Sequence, residues 1–192
     1  MMFGFLKRGK EEAQMIKGYA AMWKDVKQQR KAHLQMSAQE LTALSDEELC
    51  EAVSVRTDEK IGDDIVKPFE EYSQSLTEEE RTFYICRIYD EEVDNGGLCQ
   101  YFVNSSRESA PLLSDSLAAI GASEHQQLFE AFVRENHIDL NDLDSFVTED
   151  IEDYAAQAER YPFDDFDDRF VQLPPLDIAL AAYIREHIEQ FS

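Results

Sequence analysis

Apolar residues in this chain recur three and four positions apart, the period of helices laid against a core, and no stretch alternates apolar and polar residues as a half-buried strand would. Between Glu11 and Val26, the residues Met15, Ile16, Tyr19, Met22, Trp23 and Val26 trace one stripe with lysines largely opposite. That predicts an amphipathic basic helix whose apolar face docks on the rest of the chain. Residues 28–43 read as a linker or a frayed continuation of it. Ser45 and Glu48 form a capping box ahead of Leu49, Cys50 and Val53, so a helix runs to about Glu59. Gly62 separates it from Ile65, Val66, Phe69 and Tyr72, where Pro68 suits a first helical turn. Thr77 and Glu80 make a second box, opening a helix that carries Phe83, Tyr84, Arg87, Ile88 and Glu91 on one face.

Asn95, Gly96 and Gly97 stop that helix, because glycine enters the left-handed region without a Cβ clash and asparagine tolerates it. A new helical turn starts at once, with Leu98 and Phe102 on one face and Gln100 and Asn104 on another. Their amides are placed to satisfy backbone groups freed at the break. Further on, Pro111 sits near a helix start, Leu112, Leu113, Leu117 and Ile120 continue it, and Gly121 ends it. Ser123 and Gln126 predict a cap for the helix bearing Leu128, Phe129, Phe132 and Val133. Residues 137–147 read as loop, and Ile151, Tyr154, Ala155, Ala158 and Tyr161 as a helical stripe. A loop from Pro162 holds DDFDD, and Pro174 and Pro175 precede a last helix burying Leu176, Leu180, Tyr183, Ile184, His187 and Phe191. The predicted fold is all-α, one compact multi-helix domain of about seven to nine helices. Residues 1–36 form the basic N-terminal helix and residues 37–192 the acidic helical domain.

Charge changes the picture. The chain carries a formal net charge of −23, yet residues 1–36 hold eight Lys or Arg against three acids, and the remainder ten against thirty-eight. Aromatic residues make up 11% of the chain, more than disordered acidic segments carry, so the acidic part folds. Self-repulsion of this size disfavours DNA, RNA or an anionic membrane as partner and favours a basic protein. Cys50, Cys86 and Cys99 form no CxxC pair, which fits reduced thiols in the cytoplasm, and the start, MMFGFLKRGK, lacks a signal-peptide pattern. No run approaches the roughly 18 apolar residues of a spanning helix.

Catalytic and metal chemistry finds little footing. There is no Gly-rich phosphate loop, GxSxG elbow or HExxH, so no catalytic residues, cofactor or metal are assigned. The segment from Asp139 has the length of a calcium loop, but Leu143 occupies a ligand position and Asp144 the position that needs glycine. His33, His125, His137 and His187 show no ligand spacing, and His187 reads as a core histidine. Cys99 lies in the first turn after Gly97, where a helix N-terminus lowers a thiol pKa, but no histidine is near in sequence to act as base.

The central stretch reads Glu92, Val93, Asp94, Asn95, Gly96, Gly97, then Gln100, Tyr101, Phe102, then Asn104, Ser105, Ser106. This pattern resembles the signature of a bacterial DNA-mimic protein family. The resemblance extends from the LSDEELCEAV segment at Leu44 to the AYIREH segment at Ala182. Asp94 stands where many relatives have asparagine, and Arg107 where they have glycine. The resemblance implies a single acidic helical domain that poses as nucleic acid to a DNA-binding protein.

Many of the acids have a bland account. Asp46, Glu47 and Glu48, Glu78, Glu79 and Glu80, and Glu149, Asp150, Glu152 and Asp153 fall in or near first helical turns, where each adds about 0.3 to 1 kcal/mol at most through the helix dipole. Asp90, Glu91, Glu92 and Asp94 crowd a helix C-terminus, where the same dipole disfavours them. Either a basic group such as Arg81 or Arg87 pairs with some of them, Glu92 included, or an external cation or partner does. Asp164, Asp165, Asp167 and Asp168 form a second set, solvated loop residues on the plain reading. Carboxylates three or four apart on a helix are about 5 to 6 Å apart, and duplex DNA carries about one charge per 1.7 Å of axis, so helices can imitate the phosphate ladder.

The expected function is therefore non-enzymatic: binding the DNA-binding surface of a basic transcription regulator of the helix-turn-helix kind, in competition with DNA. The expected contact residues are Asp90, Glu91, Asp94, Asp164, Asp165, Asp167 and Asp168. Glu92, Asn95, Gly96, Gly97, Gln100, Tyr101, Phe102, Asn104, Ser105 and Ser106 are expected to be mainly structural. Two alternatives stay open: an immunity-type module for a basic partner, and an uncharacterised small-molecule-binding protein or enzyme using the polar cluster after the NGG turn.

Overall fold

The computed structural model describes residues 24, 26–148 and 150–192. The stripe from Met15 to Trp23 lies outside the described residues. Residues 26–35 are helical. Ten further α-helices follow between Ala38 and Phe191, and no strand occurs among the described residues.

In the 28–43 segment the continuation of the first helix holds through residue 35, and residues 38–42 form a second helix. After residues 26–35, Ser37 and Glu40 close a capping box at the head of α1 (Ala38–Thr42). Arg56 ties this segment down: its guanidinium donates to the carbonyls of His33 (3.0 Å) and Phe191 (3.0 Å) and also of Met36. The Ser45 and Glu48 box heads α2 (Asp46–Ile61), with the Glu48 carboxylate taking both the Ser45 hydroxyl (2.6 Å) and its N–H (3.1 Å). Gly62 ends α2 at φ +55. Pro68 is the N-cap of the short α3 (Phe69–Tyr72), one position ahead of the first-turn place expected for it.

The body of the domain is built on α4 (Glu78–Val103), which starts at the Thr77 and Glu80 box and is kinked at Gly96 and Gly97. Its buried positions Phe83, Ile85, Cys86, Tyr89, Val93, Leu98, Tyr101 and Phe102 run through both halves, so the kink lets one element face two layers of neighbours. Then come α5 (Ala110–Ala119) and α6 (Ser123–Glu135). Gly121, at φ +79, closes α5 as expected, with Gly121 N–H on the Ala118 carbonyl (3.0 Å) and Ala122 N–H on Leu117 (2.9 Å). Ser123 does not cap α6: Ala122 is the N-cap and makes no side-chain cap bond, and Gln126 reaches Ser114 and Glu130 instead.

Past a loop containing one short 3-10 turn come α7 (Ile151–Arg160), α8 (Phe163–Phe170), α9 (Leu176–Glu186) and α10 (Ile188–Phe191). The expected stripe on α7 is not buried. Ile151 is 86% exposed, and Tyr154 is only half-buried. The DDFDD stretch, expected as a loop, is the helix α8, because Phe163, Phe166 and Phe170 all bury on one face against Phe132, Phe102 and Tyr89. Burying three phenylalanines, at about 1.5 to 3 kcal/mol each, outweighs the poor helix propensity of four aspartates, a few tenths of a kcal/mol apiece. The last helix breaks at His187, which is half-buried against Tyr183 (ring centroids 4.5 Å apart) rather than in the core.

Candidate functional site

The acids at the end of the first half of α4 separate into three environments. Arg87 gathers several of them: its guanidinium lies 2.7 Å from Glu91, 2.9 Å from Asp177 on α9 and 3.8 Å from Asp90. Asp90 is buried, and that burial, followed by the charge of Asp94 and opposed by Arg87, pushes its carboxyl up to about 7. Asp94, one turn further on, is exposed and has no cation within 4 Å among the described residues.

Glu92 pairs with neither Arg81 nor Arg87. Its Oε2 accepts from Gln100 Nε2 (2.7 Å) and Asn104 Nδ2 (2.8 Å), and its Oε1 from the Ser106 hydroxyl (2.8 Å). The two amides thus hold a carboxylate at the helix end, not the backbone groups freed by the kink. Charge at an unfavourable end of the dipole is offset by three hydrogen bonds of the charge-assisted kind, which are about twice as strong as neutral ones. Of the remaining signature residues, Tyr101 is fully buried and shares a 2.9 Å bond with Ser109 Oγ, and Phe102 stacks on Phe146 at 4.8 Å. Asn95 and Ser105 are exposed.

The backbone freed at the kink is satisfied from α8. Asp167 Oδ1 accepts from the Leu98 N–H at 2.9 Å, capping the second half of α4. Gly97 is required by this packing, whereas Gly96 meets only the Gln100 side chain. Gly97 stands at φ +76, and a Cβ there would lie 2.1 Å from Asp167 Oδ2; a Cβ on Gly96 would lie 2.1 Å from Gln100 Oε1. Asp167 is half-buried, and burial raises its pKa while the Leu98 N–H lowers it and the charges of Asp164 and Asp168 raise it.

Asp164, Asp165 and Asp168 are exposed on α8 and have no cation within 4 Å among the described residues. The helix sets Asp164 and Asp168 four apart, and Asp165 and Asp168 three apart, the spacings that put side chains on one face. With Asp94 they are the exposed, unpaired members of the seven expected contact residues; Asp90, Glu91 and Asp167 have partners inside the fold. Asp177, which shares Arg87, carried no sequence signal, and His125, which showed no ligand spacing, is buried with its Nε2 2.9 Å from the Pro174 carbonyl. No sequence spacing links either residue to the α4 acids.

The thiols are not poised for chemistry. Cys50, Cys86 and Cys99 are free and buried, and burial pushes Cys50 up to about 12 and Cys99 up to about 11. The helix-start effect at Cys99 is overridden by desolvation.

A family model described as DMP19-like protein matches residues 74–187, more than half of the chain. The chain belongs to the DMP19-like family. The matched span begins ahead of the capping box of α4 and ends at the break after α9, so the DMP19-like segment contains the kink, the Glu92 and Arg87 clusters and α8. Neither the curated proteins nor the solved structures gave a match. No helix among the described residues of this DMP19-like chain is long and apolar enough to cross a membrane.

Proposed function

We propose that this protein is an acidic DNA mimic that acts by binding, not catalysis, in the bacterial cytoplasm. Its partner is a basic, DNA-binding transcription regulator of the helix-turn-helix kind, held off its DNA by occupation of the same surface. The observation that carries this reading is the family membership, taken with the resemblance of the Glu92-to-Ser106 signature to that of DNA mimics. Asp94, Asp164, Asp165 and Asp168, exposed and free of cations among the described residues, support it. So does the net charge of −23, which repels nucleic acid itself.

Competition is the test. A mimic and DNA exclude one another from the regulator, and because the mimic replaces phosphates, its binding falls steeply between low and moderate salt as DNA binding does. Simultaneous binding of DNA and this protein to the regulator would place it instead with protective, immunity-type partners. Replacing Asp164, Asp165 and Asp168 together by asparagine is expected to leave the helical circular dichroism intact and to abolish competition. Undiminished competition would remove α8 from the interface.

A further inference from the structure

A cleft of about 800 Å³ lies beside α3, bordered by the start of α4, the 3-10 turn Ser105–Ser109 and the loop at residues 140–144. Its volume falls within the roughly 300 to 1,000 Å³ of pockets that hold small molecules. Phe69, Pro111, Leu112, Leu140 and Leu143 give it apolar wall, and Arg81 and Arg107 both line it. Asp94, Asp164, Asp165 and Asp168 do not.

Two independent features mark the cleft as a place for a negative charge. The first is Arg81, which is half-buried, yet its guanidinium has no carboxylate within 4 Å and no hydrogen bond among the described residues. In a chain with 41 acids to 18 bases, Arg30, Arg87, Arg134 and Arg185 each have a carboxylate within that distance. Taking a charge partly out of water costs free energy unless a counter-charge offsets it. The second is Arg107, whose Nη1 donates to the Val103 and Asn104 carbonyls, each at 2.8 Å, at the end of α4. Those bonds hold the guanidinium in place and leave its Nε and Nη2 edge without a partner among the described residues. Ser73, 3% exposed, also lines the cleft, and its hydroxyl makes no hydrogen bond among the described residues.

Glu70, Glu108 and Asp144 limit how much negative charge the cleft can take. Glu108 is held by the Phe69 N–H at 2.6 Å, and Glu70 and Asp144 are exposed. Three carboxylates facing two guanidiniums repel a multiply charged anion such as a phosphate ester, while a single charge placed on the arginines is tolerated. We propose that this cleft binds a small monoanionic organic acid, its carboxylate held by Arg81 and Arg107 and its apolar body on Phe69, Pro111, Leu112 and Leu143. The planar fork of a guanidinium matches a carboxylate through two parallel N–H bonds, and the free edge of Arg107 is the one that offers them. The proposal does not depend on the reading of this protein as a DNA mimic.

The probe is N-acetylphenylalanine, titrated into the full chain and followed by NMR at the Nε–H groups of Arg81 and Arg107 and at the amides of residues 105–108 and 140–144. Its neutral isostere N-acetylphenylalaninamide, acetate and inorganic phosphate serve as comparisons at matched ionic strength. The expected result is a saturable shift at these groups with the acid, absent with the amide and weaker with acetate and with phosphate. Binding is expected to weaken about tenfold or more in Arg81→Gln. Arg81 makes no side-chain bond within the fold, so that variant is expected to keep the parent's circular dichroism; Arg107→Gln also releases two bonds at the end of α4, and Arg81→Gln is therefore the deciding variant. Absence of the shift, an equal response to the amide, tighter binding of phosphate than of the acid, or binding undiminished in Arg81→Gln would overturn the proposal. No DNA-binding protein takes part, so this failure is separate from failure of DNA competition, and the α8 variant is expected to take the acid as the parent does.

Discussion

The Asp167 carboxylate accepts the Leu98 N–H at 2.9 Å across 69 residues of chain, and through that bond one helix caps the middle of another. Asp167→Ala leaves a freed backbone donor at the kink without its acceptor, which costs about 1 to 2 kcal/mol. Asp167→Asn keeps an acceptor oxygen and is expected to lose well under half of that. Urea unfolding of the two variants checks the order, and equal losses would show that the charge, not the acceptor, matters there.

Gly97 and Gly62 both have positive φ, but only Gly97 is crowded. Gly62→Ala, with nothing within 4 Å of its Cβ, carries only the penalty of a backbone conformation that favours glycine (φ +55, ψ −135), about 1 to 3 kcal/mol. Gly97→Ala, at φ +76 and ψ 175, carries a penalty of the same kind and adds displacement of Asp167 and loss of the Leu98 bond, for about 2 to 5 kcal/mol in all. Thermal unfolding should therefore separate the two variants by several degrees.

Glu92 is the acceptor for Gln100, Asn104 and Ser106, so Glu92→Ala strands three donors around one small void. A loss of about 2 to 3 kcal/mol is expected. Glu92→Gln retains one acceptor oxygen but turns an amide NH₂ toward donors, and an intermediate loss is expected. Hydrogen exchange at residues 98–106 is the local readout, since the damage should concentrate on the second half of α4.

Asp90 sets a pH dependence of unusual sign. Its carboxyl titrates at about 3.9 in an unfolded chain and is raised to about 7 in the fold by burial and by Asp94. Over that interval the folded chain keeps a proton that the unfolded chain has lost, so this group's contribution to stability falls as pH rises from about 4 to about 7 and stays low above it. Asp90→Asn removes the penalty. The variant is expected to be more stable than the parent at pH 8, on the order of 1 to 3 kcal/mol, with the gap closing as pH falls towards about 4. Denaturant midpoints at the two pH values check this, and a variant less stable than its parent at pH 8 would overturn it.

Elements whose signals are local could be read directly from the sequence. The boxes at Ser45 with Glu48 and Thr77 with Glu80, the Gly121 terminus and the break at Gly96 and Gly97 each involve atoms a few residues apart, and each stands as expected. The Ser37 and Glu40 box was equally local and was missed because a single turn of helix shows no period. The helix Phe163–Phe170 carried its own clue in phenylalanines spaced three and four apart, hidden by aspartates that favour turns when nothing packs against them.

By itself the sequence determined the all-helical fold, the large negative charge and the place where the central helix breaks, since periodicity, composition and glycine conformations depend only on near neighbours. Tertiary structure alone decided which carboxylates remain outward. Asp90 and Asp94 are one turn apart and line the same cavity against the α8 to α9 connection, yet the first is buried and the second is in solvent. Asp167 and Asp168 are adjacent, yet one caps Leu98 and the other is exposed. Desolvation and hydrogen bonding to distant chain set the charge state of a carboxylate, and neither is written in its immediate sequence.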